Sequence, residues 1–427
     1  MKTSILPLAC LAALSVSASA AIIVPGANGT DGALNITADT VIDLGLAPVG
    51  PWDGDNSANA GKGVYGSGRW AVTFKYTSVN VAAGATLTFK NNASRAPVVW
   101  LVSGNVTIAG TVSLNGQNHA AAPLLAEPGP GGFRGGMQYY TNGVTGGSGF
   151  GVGGGWLNAS GNLNVWAAGG SYGSAGGNGG SPSYGNPSLV PLIGGSGGGS
   201  AISTTYGGNY GGGAGGGALL IACQQTTAIT GSITAIGGAG APSGAINGGY
   251  SGSGGGGGIR IVTDSFGGEG SVSALGGNSN IPGGAGRIRI ERVINSATIV
   301  PTPDPSVVDL AANSTALIWP PIGAPEVKVI SVGGTNAPTD PKAGFGTIGA
   351  DVALASASTT TVIVETTNVE AASVVKIRAT PRSNANFSEV NATLLSTVST
   401  SPLVIRWTAT LPVGTGYNAV QARVIRP

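Results

Sequence analysis

Alternation of apolar and polar residues is the clearest signal in the first 300 residues, and it predicts β-strands. The nine residues Val106–Leu114 alternate strictly, which is the period of a strand with one buried face. The pattern recurs at Ile229–Ala235 and at Gly268–Ala274, and Gly231 and Gly270 occupy matching positions 39 residues apart. Apolar strands are predicted upstream of these copies and at the end of the series: Val98–Val102, Ala218–Ala222, Ile259–Val262 and Arg287–Glu291.

Units that each carry one apolar face must stack to bury it, and this is the sequence signature of a solenoid. We therefore expect an all-β fold, with a glycine-rich, right-handed parallel β-helix over residues 21–297. A long loop insertion, residues 117–217, separates the first copy of the repeat from the second. Before the repeat, further strands are predicted at Ala33–Ile36, Thr40–Leu44, Trp70–Tyr76, Val79–Val81 and Thr86–Phe89.

A change in composition near Thr298 predicts a second domain. Pro301, Pro303 and Pro305 indicate a stiff linker over residues 298–306, and few glycines follow it. About eight strands at regular spacing then predict an immunoglobulin-like β-sandwich over residues 307–427, without a cysteine pair. These strands are Thr315–Trp319, Val327–Val332, Asp351–Ala355, Thr361–Glu365, Val374–Ala379, Ala392–Leu395, Leu403–Ala409 and Ala419–Ile425.

Glycine is concentrated in the middle of the chain, where Gly129–Ile290 contains 56 of the 78 glycines. Their irregular spacing excludes collagen, which needs glycine at every third position. A disordered linker is disfavoured because strongly apolar segments interrupt the glycine runs. Within the insertion, Leu192–Gly199 and Tyr210–Gly217 are expected to form extended glycine helices packed side by side, since glycine alone permits such close approach.

The chain is poor in charge, with 8% charged residues and a net charge of +2, and no charged residue lies between Gly135 and Ile259. Nucleic-acid binding is excluded because it requires clustered lysine and arginine. His119 is the only histidine, and a catalytic group with Glu127 and Arg134 is the minor alternative to a loop residue. Because the central strands lack carboxylates, we expect no catalytic residues, no metal and no cofactor.

Two smaller charged features are interpreted as structural. The loop Trp52–Ser57 carries two carboxylates, but Val64 stands where a calcium loop of the EF-hand type needs glutamate, so a polar turn is favoured. Arg260 and Arg289 occupy matching strand positions, with Glu291 close by. On a solenoid these residues are expected to stack on the outer face of the last coils, where their charges would discourage pairing with a further strand.

The N-terminus predicts a signal peptide over residues 1–20, cleaved after Ala20, because Lys2 precedes an apolar run and small residues. Cys10 would leave with it, so Cys223 would be the only cysteine of the mature chain and is expected to be a buried small hydrophobe. No later segment has 18 consecutive apolar residues, and a secreted or cell-surface protein without a transmembrane segment is expected.

Aromatic residues on the glycine-rich insertion carry the functional hypothesis. Tyrosine and tryptophan can stack on sugar rings, so glycans or other cell-surface or matrix components are the expected partners, with the oligomeric state left open. The alternative is that the rings pack over the glycine backbone as a satellite core. The candidate ligand-binding residues are Tyr139, Tyr140, Trp156, Trp166, Tyr172, Tyr206 and Tyr210.

The motif Pro191–Gly199, the glycine–strand units and Gly286–Glu291 resemble exported glycine-rich β-helical surface proteins of bacteria, which are largely uncharacterised. The resemblance covers Thr86–Glu291 and implies a fold and an exported location, with no catalytic residues to carry over. The glycine runs are also similar in kind to the polyglycine-helix tips of bacteriophage adhesins. We expect a non-catalytic structural or adhesive protein; the alternatives are a carbohydrate-active enzyme or glycan-binding module, and an ice-binding or matrix filament protein.

Overall fold

A computed structural model describes residues 21–427 except 121–123, 138–145, 158–165, 202–210, 243–248, 344–348, 356–357, 383–384 and 415. The described chain is nearly all β, with parallel and antiparallel sheets and three short 3-10 turns at Leu44–Leu46, Ser57–Asn59 and Ser67–Arg69. Within these ranges we find no helix with the length and apolarity needed to cross a membrane.

The strands divide into two units. Those of the first unit are β1 (Gly32–Ile36), β2 (Thr40–Asp43), β3 (Val64–Gly66), β4 (Ala71–Val81), β5 (Thr86–Lys90), β6 (Val98–Val102), β7 (Val106–Ile108), β8 (Thr111–Ser113), β9 (Ala218–Ile229), β10 (Ser232–Thr234), β11 (Gly258–Gly267), β12 (Ser271–Ser273), β13 (Arg287–Asn295) and β14 (Ser306–Asp309). Those of the second unit are β15 (Glu326–Val332), β16 (Thr335–Asn336), β17 (Thr359–Thr367), β18 (Val374–Pro381), β19 (Ser388–Asn391), β20 (Thr393–Thr400), β21 (Leu403–Pro412) and β22 (Asn418–Ile425).

Two parallel sheets form the first unit. The larger has the order β1-β4-β6-β9-β11-β13-β14, with β7 joining β4 and β9 and with β3 antiparallel to β4. The smaller has the order β2-β5-β8-β10-β12. From β4 to β13 the chain passes back and forth between the two sheets, so matching strands of successive repeats become neighbours. Ile259, for example, pairs with Leu219 on one side and Ile288 on the other.

The main core lies between the two parallel sheets. Trp100 and Ile221 of the larger sheet and Val112 and Ile233 of the smaller one belong to the same buried cluster, and all are fully inaccessible. A second cluster covers the outer face of the larger sheet, where Ile22 and Ile318 pack over the strands. Burial on both faces explains why β6 is a continuous apolar run rather than an alternating one.

The predicted nine-residue strand Val106–Leu114 is two strands, β7 and β8, which lie in different sheets. The chain turns at Gly110, where a Cβ atom would overlap the carbonyl oxygens of Ala82 and Ala85 in the preceding turn. Gly231 lies in the same way over the carbonyl of Gly110, and Gly270 over that of Gly231. The repeated glycine therefore marks a stacked corner at which only glycine allows the turns to approach.

Hydroxyl groups form an array on the outer face of the smaller sheet over β5, β8, β10 and β12, because the residues flanking the buried ones point outward. The ion pair of Lys90 with Asp43 lies on the same face at its β2 edge. Parallel pairing aligns Thr111, Ser232 and Ser271 in one row and Ser113, Thr234 and Ser273 in another. We call this surface the hydroxyl face. Its members are Thr86, Thr88, Thr111, Ser113, Ser232, Thr234, Ser271 and Ser273.

The proline-containing segment 298–306 belongs to the first unit rather than acting as a free linker. The backbone NH of Thr302 donates to Val272, and β14 pairs in parallel with β13. The predicted strand Thr315–Trp319 is also absent, because Ala316 and Ile318 instead pack on the outer face of the larger sheet. The boundary between the units therefore lies between Trp319 and β15.

Arg260 and Arg289 are neighbours on the outer face of the larger sheet, as expected, but Arg260 is buried there. Its side chain is 2% exposed and pairs with Glu291 at 2.9 Å, and Arg289 reaches the same carboxylate at 3.2 Å. Burial lowers the pKa of Arg260, and Glu291 opposes that shift. Since β14 extends the sheet beyond β13, these charges do not end strand pairing either.

The second unit consists of two antiparallel sheets with the orders β16-β15-β17-β21-β20 and β19-β18-β22. They share one core, in which Val364 and Trp407 of the first sheet meet Ile377 of the second. The indole NH of Trp407 donates to the Thr366 hydroxyl at 2.8 Å. The predicted strand Asp351–Ala355 is not a strand in the structure.

Candidate binding surface at the end of a glycine-helix bundle

The segment 193–201 donates hydrogen bonds with a period of three. Consecutive NH groups donate to three different neighbouring segments, and every third NH group returns to the same segment. Gly195 donates to Gly216 and Gly198 to Gly213 in one segment; Ser196 donates to Ser171 and Gly199 to Ala168 in the second; Gly197 donates to Phe150 and Ser200 to Gly147 in the third. A left-handed extended helix with three residues per turn produces this pattern, because each turn presents its NH groups in three directions.

The carbonyl groups of the same segment accept with the same period. Gly195 and Gly198 accept from Phe133 and Gly136, Ser196 and Gly199 from Gly255 and Gly252, and Gly197 from Gly155. The segment is thus surrounded by six others, at residues 129–137, 146–150, 153–157, 166–171, 211–217 and 251–257. The expectation of extended glycine helices packed side by side is confirmed for the described residues of the two predicted segments.

The bundle is not confined to the insertion. Gly254 donates to Gly238, and Gly256 donates to Gly284, so segments from later repeats join the same lattice. We call the whole assembly of hydrogen-bonded glycine segments between residues 129 and 286 the glycine bundle.

Glycine is required in the bundle because neighbouring backbones are in contact. A Cβ atom on Gly198 would overlap the carbonyl of Gly252, and one on Gly197 would overlap that of Arg134. The Ser196 side chain adds hydrogen bonds to those of its backbone: its hydroxyl accepts from the NH of Gly153 at 3.1 Å and donates to the Tyr184 hydroxyl at 2.9 Å.

One end of the bundle is closed by a small layer of alanine side chains, Ala167, Ala201 and Ala241, which form a buried cluster. Their backbones are held there as well, since the NH of Ala167 donates to the carbonyl of Tyr250 and that of Ala241 to Gly211. Several glycine segments therefore end on the same side of the molecule.

Aromatic side chains surround this end. Trp166 is 46% exposed and makes an edge-to-face contact with Tyr250, with ring centroids 5.9 Å apart. Asn178 donates its side-chain NH to the carbonyl of Trp166 at 2.8 Å, and the neighbouring Gly179 accepts from the half-buried Trp156 indole at 3.1 Å. Two of the predicted site residues, Trp156 and Trp166, are thus brought to one surface.

Tyr250 belongs to this surface but is missing from the residues predicted from sequence. The available signal was its position, since Tyr250, like Trp166, stands immediately before a glycine-rich segment that enters the bundle. Of the remaining predicted residues, Tyr139, Tyr140, Tyr206 and Tyr210 lie outside the described residues.

Tyr172 is not a surface residue, which corrects the prediction that it contacts a ligand. It is fully buried, its ring lies 4.9 Å from that of Tyr184, and the Arg287 guanidinium stands over it at 5.8 Å. Burial raises the pKa of Tyr172 well above its usual value. The alternative interpretation, rings packed over glycine backbone, applies to Tyr172 and to the buried Phe150.

His119 is exposed, and its backbone NH donates to the carbonyl of Ala239. The Glu127 carboxylate is instead shared by Arg95 at 2.8 Å and Arg134 at 2.7 Å. Burial acts to raise the pKa of Glu127, but the two guanidinium groups outweigh it and hold the pKa below its usual value. The chain places this carboxylate in an ion-pair cluster rather than beside the histidine.

Across the described ranges, no group of three or more His, Cys, Asp or Glu residues is arranged to hold a metal ion. In the loop Trp52–Ser57 the Lys75 ammonium donates to the carbonyl of Gly54, and Asp55 accepts from the NH of Ser57 at 2.8 Å. This loop is a polar turn, as predicted. Cys223 is buried, as predicted, and burial raises its pKa.

No family model matches the chain, and neither the curated proteins nor the solved structures contain a match. The arrangement at the bundle end offers aromatic rings and the side-chain amide of Asn178, and none of the residues described there is Asp, Glu, Lys, Arg or His.

Proposed function

We propose that this protein is an exported, non-catalytic adhesive protein that binds glycans through the aromatic end of its glycine bundle. The two parallel sheets are taken as a right-handed parallel β-helix, because the chain alternates between them and repeats stack in register. The second unit is taken as an immunoglobulin-like sandwich, because two antiparallel sheets share one core. Both would serve as rigid supports for the binding surface.

The observation that carries the proposal is the exposed Trp166 in contact with the half-buried Tyr250 and beside Trp156, on a bundle without charged residues between Gly135 and Ile259. A neutral glycan carries no charge that would have to be desolvated at such a surface, and the indole rings offer flat apolar faces for its CH groups. A bundle held by backbone hydrogen bonds in three directions keeps the rings in place, which reduces the entropic cost of binding.

Glycan-array binding by the full chain tests the proposal. Changing Trp156 and Trp166 to Ala should reduce binding roughly tenfold or more, since buried aromatic anchors dominate most interfaces. Leu395→Ala is the control, because Leu395 is 50% exposed but lies on the second unit. Undiminished binding by the tryptophan variant, or polysaccharide turnover that is lost on His119→Ala, would overturn the proposal.

Export is part of the proposal, and the predicted signal peptide lies outside the described residues. N-terminal sequencing of protein recovered from the exterior of expressing bacteria should begin at Ala21. Recovery of the protein only inside the cell, with Met1 retained, would contradict export.

The hydroxyl face favours ice binding as a second candidate function. Adjacent strands of a sheet lie ~4.8 Å apart and alternate residues ~6.6 Å apart, so its two rows form a regular two-dimensional grid. That grid is similar in scale to the spacing of water oxygens on ice, and the Thr111 and Ser232 hydroxyls are already linked at 3.0 Å. Thermal hysteresis abolished by Thr111→Tyr, and retained by Thr361→Tyr on the second unit, would favour this function; absence of hysteresis excludes it.

A further inference from the structure

A cleft of about 270 Å³ lies where the smaller parallel sheet meets the first segment of the glycine bundle. Thr88 and Phe89 of β5 and Ser113 of β8 form its floor, and Glu127 and Pro128 form part of its wall. The side chain of Asn91 joins floor to wall by donating to the Glu127 carboxylate at 3.2 Å and to the Pro128 carbonyl at 2.8 Å. We call this site the sheet-end cleft.

The charges that line the sheet-end cleft are already neutralised within the protein. Glu127 is paired with Arg95 and Arg134, and Lys90 is paired with Asp43 at 2.7 Å. A charged ligand would therefore have to give up water without gaining a counter-ion, which is unfavourable. The site suits an uncharged ligand.

Hydrogen-bonding groups remain available in the lining. The side-chain oxygens of Asn115 and Gln117 accept backbone NH groups of Ile236 and Glu127, which leaves their amide NH2 groups without partners among the described residues. The Asn91 side-chain oxygen is buried and has no hydrogen-bond partner in the same ranges. An unmet buried acceptor costs free energy until a ligand or a water supplies a donor.

An apolar side completes the cleft. Phe89 is half-buried against the core, with its ring centroid 6.4 Å from that of Trp100, and contributes to the lining together with Pro128 and Pro130. The volume is slightly below the ~300 Å³ at which ligand pockets typically begin. This size admits a single ring, with hydroxyl groups facing the amides and CH groups facing the phenyl ring.

We propose that the sheet-end cleft binds one neutral hexopyranose residue. The site is separate from the bundle end and does not depend on the adhesive function assigned there. Amide NH2 groups of Asn115 and Gln117 would bind ring hydroxyls.

Saturation-transfer NMR on the full chain tests the proposal with the methyl glycosides of glucose, galactose and mannose at millimolar concentration. Saturation transfer to at least one of them is expected, with at least threefold less transfer to glucuronate and glucosamine. The Trp156→Ala/Trp166→Ala variant, which lacks the aromatic rings of the bundle end, is the background for every substitution in this test. In that background Thr88→Tyr fills the cleft and should remove the signal. Thr86→Tyr is the matched control, because Thr86 lies on the same face of the same strand but outside the lining.

Gln117→Ala provides a second test if Thr88→Tyr does not fold, because Gln117 is exposed and its loss should reduce transfer several-fold. The Trp156→Ala and Trp166→Ala variants should leave the cleft signal unchanged, so failure at the bundle end and failure here are distinguishable. The inference is overturned if none of the three glycosides receives saturation. It is equally overturned if transfer persists in both Thr88→Tyr and Gln117→Ala.

Discussion

Replacing Gly194 by alanine measures how strongly the glycine bundle depends on backbone contact. The new Cβ atom would lie 2.5 Å from the carbonyl oxygen of Gly216 and 2.9 Å from that of Gly131, in two different neighbouring segments. An ordinary contact begins at 3.4 Å, so the Gly216 segment would have to move by 3.4 − 2.5, about 0.9 Å. Movement of the methyl group away from Gly216 drives it towards Gly131. Because both contacts are with backbone atoms, no change of side-chain rotamer can relieve the overlap.

The cost follows from the hydrogen bonds that this shift disturbs. Gly195 donates to Gly216 at 2.9 Å, and a further 0.9 Å gives about 3.8 Å, beyond the 3.5 Å limit of a hydrogen bond. A buried bond lost in this way costs ~1–3 kcal/mol, and overpacking adds ~1–3 kcal/mol. We expect Gly194→Ala to destabilise the first unit by about 3 kcal/mol, which lowers its Tm by roughly 6 °C or more.

Two further glycines separate steric overlap from backbone strain. Gly84 has φ +82° and no atom within 4 Å of a Cβ position, so Gly84→Ala should cost only the ~1–2 kcal/mol of a left-handed conformation. Gly68 has open space and an ordinary φ, and Gly68→Ala should be neutral or stabilise by up to ~1 kcal/mol. Differential scanning calorimetry of the three variants is the assay. A Gly194→Ala protein that melts with the wild type would refute the close-packed bundle.

Three other predictions concern charge and burial. Arg378 of the second unit pairs with Glu389 at 2.9 Å and donates to the carbonyl of Gly154 in the bundle at 3.3 Å. Arg378→Ala should therefore release the second unit from the bundle, at a cost of roughly 3 kcal/mol. Limited proteolysis after Trp319 should become faster in this variant, and the increase should be smaller in Arg378→Lys. Because the pKa of Glu127 in the folded protein lies below 4.5, its ion pairs stabilise the fold above pH 4.5, and this stabilisation is lost as the pH falls through the folded pKa. In Glu127→Gln the Tm should therefore fall less on acidification than in the wild type. An equal fall of Tm in both proteins would contradict the ion-pair cluster. Cys223 should resist a disulfide reagent at pH 8 until denaturant is added, and rapid native labelling would show that the thiol is accessible.

Local pattern was sufficient for the strands that repeat. Val98–Val102 is predicted with the bounds that β6 has, because a run of β-branched and aromatic residues needs no distant partner to be recognised. The period-two pattern around Val112 and Ile233 likewise identified residues that face the core. These features depend on the chain's own chemistry at short range.

The corner at Gly110 could not be predicted in this way. The alternation continues through it without interruption, and what turns the chain there is the carbonyl groups of Ala82 and Ala85, about 25 residues earlier. The proline segment 298–306 presents the same difficulty, since its pairing depends on strand edges that exist only after the sheets have formed.

The exposure of the aromatic rings at the candidate site likewise depends on distant neighbours rather than on local sequence. Trp166 and Tyr172 lie six residues apart on either side of one glycine pair, Gly169 and Gly170, yet one is exposed and the other fully buried. The local sequence does not distinguish them, and the difference lies in what packs at each position: Tyr184 and Arg287 cover Tyr172, whereas Trp166 lies at the end of the bundle beside Tyr250.

By itself, the sequence determined that the chain is nearly all β, that its central region is uncharged, and that glycine is concentrated between Gly129 and Ile290. Tertiary structure alone decided that segments from the insertion and from later repeats form one bundle, and which aromatic rings remain at its surface. The physical reason is that glycine has no side chain to specify a partner, so its hydrogen bonds are assigned only when the neighbouring segments are in place.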